Sequence, residues 1–193
     1  KKWQCPRSHP FRVEEEGRAY FYFPTPFPNT RVAADFASLQ DQSRYEAFSC
    51  LKPGTRYRGK DSQLDRQDGK LVYSWKTGTD PIGPSEEKAL IECGILSREE
   101  ARFMPRDAES GKPVVLHSGS VQWNPYLRRW LLIAVEIGGS SFLGEVWCAI
   151  SDTLTGPWKK AVKIVTHDRY TFYNPVHHPF FDQQNHRAIY FEG

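Results

Sequence analysis

Long apolar runs are missing from this sequence. None approaches the roughly 18 residues that a membrane-crossing helix requires, so no segment reads as a transmembrane span and no membrane partner is expected. No Cys-x-x-Cys pair occurs among the four cysteines, Cys5, Cys50, Cys93 and Cys148, which argues against a zinc ribbon or a thioredoxin-type centre. An excess of one charge is missing too. With 26 basic and 23 acidic residues the net charge is only +3, too balanced for a nucleic-acid partner, and the cluster Arg56, Arg58, Lys60 reads as a solvated loop. The start carries no signal-peptide pattern. Lys1-Lys2-Trp3-Gln4-Cys5 runs almost at once into strand-like sequence, which suggests a cut point rather than a natural terminus.

Aromatics, by contrast, are plentiful: 6 Trp, 9 Tyr and 12 Phe give the chain ample apolar surface to offset its conformational entropy, so it is not disordered. Glycine and proline number 14 each, a content that fits many short strands joined by turns.

An internal repeat carries most of the fold information. His9-Pro10-Phe11, a polar turn through Gly17, and Arg18-Ala19-Tyr20-Phe21-Tyr22-Phe23 align without a gap on His178-Pro179-Phe180, the turn Asp182–His186, and Arg187-Ala188-Ile189-Tyr190-Phe191-Glu192. Each copy reads as a β-hairpin. Weaker copies turn at Asp68-Gly69, before Leu71–Trp75, and at Asn124-Pro125, between Ser120–Trp123 and Trp130–Val135. Third strands are expected at Tyr45–Cys50, Lys88–Cys93 and Glu145–Ile150, and a fourth at Trp158–Val165. Three of the cysteines would then occupy similar places as small buried hydrophobes rather than disulfide partners. Ser97 followed by Glu100 suggests a short capped helix between repeats.

Four antiparallel strands per repeat, recurring about every 50 to 60 residues, is the blade of a β-propeller. The predicted fold is therefore all-β: one propeller-domain fragment of about three to four blades, with repeats over residues 1–55, 56–108, 109–166 and an incomplete 167–193. Because the last hairpin would leave a bare strand edge at Glu192-Gly193, the natural protein is expected to continue.

The phrase Ser151-Asp152-Thr153-Leu154-Thr155-Gly156-Pro157-Trp158, followed by Asn174-Pro175-Val176-His177-His178-Pro179-Phe180-Phe181-Asp182, resembles the five-bladed β-propeller glycoside hydrolase superfamily of arabinanases, xylosidases, invertases and levansucrases. Gly119 to Gly193 is most similar to uncharacterised bacterial members; the residues before it match mainly through the internal repeat. The resemblance implies a carbohydrate partner. It also implies a glycoside hydrolase that uses two or three carboxylates, one of them an acid with a raised pKa. It admits a bound calcium ion, although no ligand cluster in the chain demands a metal or other cofactor. A polysaccharide substrate would imply a secreted or periplasmic location; the sequence itself does not fix the compartment.

Glu192 is the first catalytic candidate, since it replaces the aligned Phe23 in a strand, where an unpaired carboxylate is costly. Glu145, before Val146-Trp147 on a third strand, and Asp168, beside His167 ahead of an expected inner strand Thr171–Asn174, complete the catalytic set. Glu46 is read as the counterpart of Glu145 in the first repeat. Candidate substrate contacts are His177, His117, Asn174 and the sugar-stacking aromatics Trp123, Trp75 and Tyr173, for which packing between blades is the competing reading. His177 and His178 adjoin on a strand and so face opposite sides; His178, repeating His9, is expected to make a structural hydrogen bond. Two other readings stand beside the enzyme: a non-catalytic propeller that binds glycan or protein, and a fragment inactive by itself.

Overall fold

The computed structural model describes residues 9–24 and 26–193; Cys5 lies outside them. Antiparallel β-sheet dominates. The described residues form two compact units. The first runs to Pro24 and resumes over Pro28–Ala101; the second comprises Pro26, Phe27 and Arg102–Gly193.

In the first unit, β1 (Phe11–Glu15), β2 (Arg18–Pro24), β3 (Pro28–Ala33) and β4 (Glu46–Ser49) run as an antiparallel meander. The β1–β2 turn falls where the sequence places it. Glu16 and Gly17 both adopt positive φ, 49° and 78°, the two-residue turn whose twist matches the strands it joins. The sequence does not announce β3, because Pro28-Asn29 opens it and its apolar residues do not alternate. Its presence moves the Tyr45–Cys50 strand from third place to fourth. Between them lie α1 (Phe36–Gln40), capped by Asp35 through Ser38 N–H at 2.8 Å, and a 3-10 turn at Gln42–Arg44.

β5 (Arg66–Gln67) and β6 (Lys70–Leu71) form a short hairpin around Asp68-Gly69, and β7 (Ser74–Thr77) returns to pair with β4 as the fifth strand of the sheet. The strand expected at Lys88–Cys93 is instead the second half of α2 (Pro84–Glu92). Helix-start signals upstream decide this. Pro84 opens the helix, acids fill its first turn, and Glu86 accepts the Gly83 N–H at 3.1 Å. Pro84, Glu87 and Leu90, three residues apart, are buried. Leu90 joins Cys50, Leu51, Ile82 and Leu96 in a core cluster, and Glu87 accepts the Tyr73 hydroxyl at 2.6 Å. Lys76 is also buried, donating to the Ser49 and Leu51 carbonyls and pairing with Asp65 at 2.8 Å. The Ser97 helix does not form: Glu100 accepts the Ser97 N–H at 3.0 Å and also Arg66 Nη1 at 2.6 Å, but the segment closes as a single turn.

All three described cysteines are free. Cys50 and Cys148 fit the expectation of sheltered thiols, and burial pushes each up to about 11. Cys93 does not: it caps α2 and is exposed.

The second unit is built on β8 (Arg106–Asp107), β9 (Leu116–Asn124), β10 (Arg129–Glu136), β11 (Glu145–Ser151) and β12 (Lys160–Thr166), with sheet order β8-β12-β11-β10-β9. β9 to β12 are the four strands the sequence predicts, while β8 adds a short parallel edge. Leu131–Val135 in the central strand β10 are buried on both faces. One face (Leu131, Ile133, Val135, Val146) packs against Phe172, Ile189 and Phe191 of the C-terminal segment. That segment forms a hairpin from β13 (Val176–His177) and β14 (Phe191–Glu192). Thr171–Tyr173 is irregular rather than a strand, and Asn174 takes a positive φ of 51° before Pro175, which supplies no ladder donor.

Trp158, which ends the Gly-Pro-Trp phrase, is buried with Phe27 and Phe103; Phe27 lies 5.9 Å from its ring and 5.0 Å from that of Phe103. Arg102 donates to the Thr155 and Gly156 carbonyls, and its own carbonyl accepts Trp158 N–H at 2.9 Å. The phrase therefore turns the chain after β11 and plants an aromatic in the core.

Candidate functional site

Two clusters of ionisable groups lie in the second unit. The first is a glutamate pair. Val135 faces Val146 across β10 and β11, so Glu136 and Glu145 are the next facing positions, where the two strands open into the loop 137–144. Trp147, two residues along from Glu145 and so on the same face, donates its indole N–H to Glu136 Oε2 at 2.8 Å. Burial lifts the Glu136 carboxyl above its ordinary value. The indole hydrogen bond and Lys163 oppose that rise, while Glu145 and Asp107 add to it.

Glu145 itself is sealed in. Its Oε1 accepts both the N–H (2.6 Å) and the hydroxyl of Ser140, and Lys163 lies 3.6 Å away. Its Oε2 is buried without a hydrogen-bond partner. A side chain at Gly139 would overlap this carboxylate, so the loop closes over Glu145 only because position 139 has none. Glu145 is thus closed off from any ligand, and Glu136 is the member of the pair that reaches the surface. Glu46 is not its counterpart: it sits on a fourth strand, not a third, and is ion-paired with Arg31 at 2.7 Å.

The second cluster clasps the C-terminal hairpin. Asp182, with its side chain 1% exposed, accepts His177 Nε2 at 2.9 Å, His186 Nδ1 at 3.0 Å and the Tyr190 N–H at 3.3 Å. Burial would raise its carboxyl, but the two imidazole hydrogen bonds outweigh that and hold it below its ordinary value. Gln184, Asn185 and His186 all adopt left-handed backbone (φ 52°, 54° and 63°), a conformation that costs L-residues energy and that the clasp sustains. Asn124 Nδ2 donates to the His186 carbonyl at 2.9 Å, and Ser120 accepts the His177 N–H at 2.7 Å, anchoring the hairpin to β9.

The predicted site residues scatter across this frame. His177 is buried in the clasp with its Nδ1 unpartnered, whereas His178 points the other way and pairs with Glu192 at 3.1 Å. Glu192 is 74% exposed and Asp168 77% exposed. No hydrogen bond or ion pair joins either to Glu145 among the described residues. His117 is exposed on β9 beside Ser118 (3.2 Å), and Asn174 and Tyr173 are exposed in the irregular segment. Trp123 is exposed near the β9–β10 turn, braced edge-on by Trp130 at 5.5 Å, while Trp75 packs against Tyr22 and Phe48. Glu136, Asp182 and His186 carry no local motif. Asp182 and His186 belong to a polar hairpin turn, and only the folded chain shows them buried together.

Among the described residues no group of three His, Cys, Asp or Glu side chains could hold a metal ion; in the clasp both Asp182 oxygens are already taken by imidazoles. No described helix is long and apolar enough to cross a membrane. No family model, curated protein or solved structure matches this chain.

Proposed function

We propose that this chain belongs to a carbohydrate-active protein of the β-propeller type, and that it acts as a glycoside hydrolase with Glu136 as the proton-bearing acid. The observation that carries this reading is the facing pair Glu136 and Glu145, one half-buried with a raised carboxyl and the other buried beside Lys163. A protonated Glu136 would donate its proton to the leaving glycosidic oxygen as the C–O bond breaks, a solvent water would add at the anomeric carbon and release its proton to solvent, and Glu136 would regain a proton from solvent. Burial keeps that proton in place, and the neighbouring Glu145 adds to the effect as a positioning residue. The antiparallel meanders of the two units supply the blade-like setting. In this reading Glu192 and Asp168 are surface carboxylates.

The test is reducing-sugar release from a panel of plant, algal and bacterial polysaccharides. Release is expected to decline as pH rises through the elevated value of Glu136, because the acid form is lost there. Glu136→Gln should lower it at least about a hundredfold. Activity unchanged in Glu136→Gln removes the assignment.

A second reading, a glycan-binding module without catalysis, is favoured by the sealed position of Glu145 and by the exposed, braced Trp123. No release by the folded protein, together with glycan binding that Trp123→Ala abolishes, would select it.

A further inference from the structure

The first unit holds a concavity of about 390 Å³ that plays no part in the glutamate pair or the clasp. The start of β2, the segment after β3, and the paired strands β4 and β7 line it, and its side chains are of mixed but complementary character. Arg18 lies with its guanidinium 5.2 Å over the Tyr20 ring and makes no hydrogen bond or ion pair among the described residues. Arg44 is held at Nε by Asp41 (3.2 Å) and at Nη1 by Ser38 (3.3 Å), which leaves Nη2 for a ligand. Glu46, the acid in the lining, accepts Arg31 Nε–H at Oε2 (2.7 Å) and keeps Oε1 for a ligand. Arg31 is itself fixed between the rings of Tyr20 and Trp75, at 4.1 and 4.3 Å, so this arrangement is rigid. Thr77 completes the wall.

Each feature selects a part of the ligand. Two guanidinium groups with spare N–H donors call for an oxyanion, and a carboxylate matches their planar geometry. A dianion is disfavoured, because Glu46 lines the cavity and the ionised Asp41 and Asp35 act on Arg44 and Arg18. The free oxygen of Glu46 rejects a second anionic group beside it but accepts a hydroxyl hydrogen, and Thr77 offers a second hydroxyl contact. The volume lies at the small end of ligand sites, about 300 to 1,000 Å³, which suits one or two sugar rings.

We propose that this concavity binds a sugar acid, with its carboxylate on Arg18 and Arg44 and its ring hydroxyls on Glu46 and Thr77. The choice of a sugar acid among hydroxylated carboxylates rests on the carbohydrate reading above; the pairing of one carboxylate with several hydroxyls does not.

The test is titration of the full chain with glucuronate and galacturonate, against glucose and inorganic phosphate, followed by calorimetry and by amide shifts in two-dimensional NMR. A uronate should bind, shifting the signals of Arg18, Arg44 and Thr77, and glucose and phosphate should bind at least about tenfold more weakly. Arg44→Lys, which keeps the charge but loses the fork, and Arg18→Gln should each weaken uronate binding about ten- to a hundredfold with an unchanged circular dichroism spectrum. Glucose or phosphate binding as tightly as the uronates overturns the proposal, as does wild-type affinity in both arginine variants or the absence of any uronate binding. Uronate binding at this site in a protein with no glycan activity would leave the proposal standing while removing the proposed function. Hydrolysis without uronate binding would do the reverse.

Discussion

A carboxylate buried to the last per cent stays ionised only when donors surround it, and Asp182 has three: His177, His186 and the Tyr190 N–H. Because its carboxyl is held below the ordinary value, the folded protein favours the charged form more than the unfolded chain does. The resulting stabilisation is present above the ordinary aspartate range, about pH 4, and is lost as pH falls through the depressed value. Asp182→Asn should therefore cost about 2 kcal/mol at pH 5 and much less at pH 2.5, two conditions that both lie below the ordinary histidine range. Urea unfolding of both proteins at the two pH values measures this; an equal difference at both would show that the charge of Asp182 contributes nothing. Glu192 teaches the complementary lesson. Its place in a strand suggested a buried carboxylate that needed a reason, yet the strand has only two residues and its outward face is open, so solvent and His178 satisfy the charge. Strand position was legible in the sequence; exposure was not.

At the scale of elements, local rules performed best where turn chemistry is strict. The hairpins at Glu16-Gly17 and Asp68-Gly69 fall where their residues place them, since positive φ at successive positions restricts the choice of residue. Gly17→Ala should destabilise the protein by about 1–2 kcal/mol, because alanine must adopt φ near 78° with open space around its methyl, leaving backbone strain as the sole penalty. Chemical denaturation measures this, and an unchanged midpoint would mean that the turn relaxes freely. Local rules failed where two patterns share residues. Lys88–Cys93 has an apolar run short enough for a strand, and only the cap built from Gly83, Pro84 and Glu86 makes it a helix. At Ser97 the cap bond is made, yet the segment stays a single turn; Arg66 also pairs with Glu100 and pulls its carboxyl down to about 2.

At the scale of the whole molecule, the chain does not divide where its sequence repeats do. Pro26 and Phe27 belong to the second unit although they lie between β2 and β3 in sequence, and Phe27 packs beside Phe103 and Trp158. Phe27→Ala is expected to cost about 3–5 kcal/mol and to shift tryptophan emission to the red as Trp158 gains water. Thermal unfolding and fluorescence read both effects, and a variant as stable as the parent would show that this ring is dispensable. The sequence by itself determined the β-rich class, the hairpin turns and the four strands β9 to β12, because alternation and turn residues are encoded within a few positions of one another. Tertiary structure alone decided that Glu145 is sealed while Glu136 reaches the surface, and that Asp182 joins two histidines. It also decided that Arg18 and Arg44 share a cavity. Burial and charge partnership depend on what long-range folding brings alongside: Ser120 meets His177 and Asn124 meets His186 across about 60 residues of chain, and no local pattern encodes a neighbour at that distance.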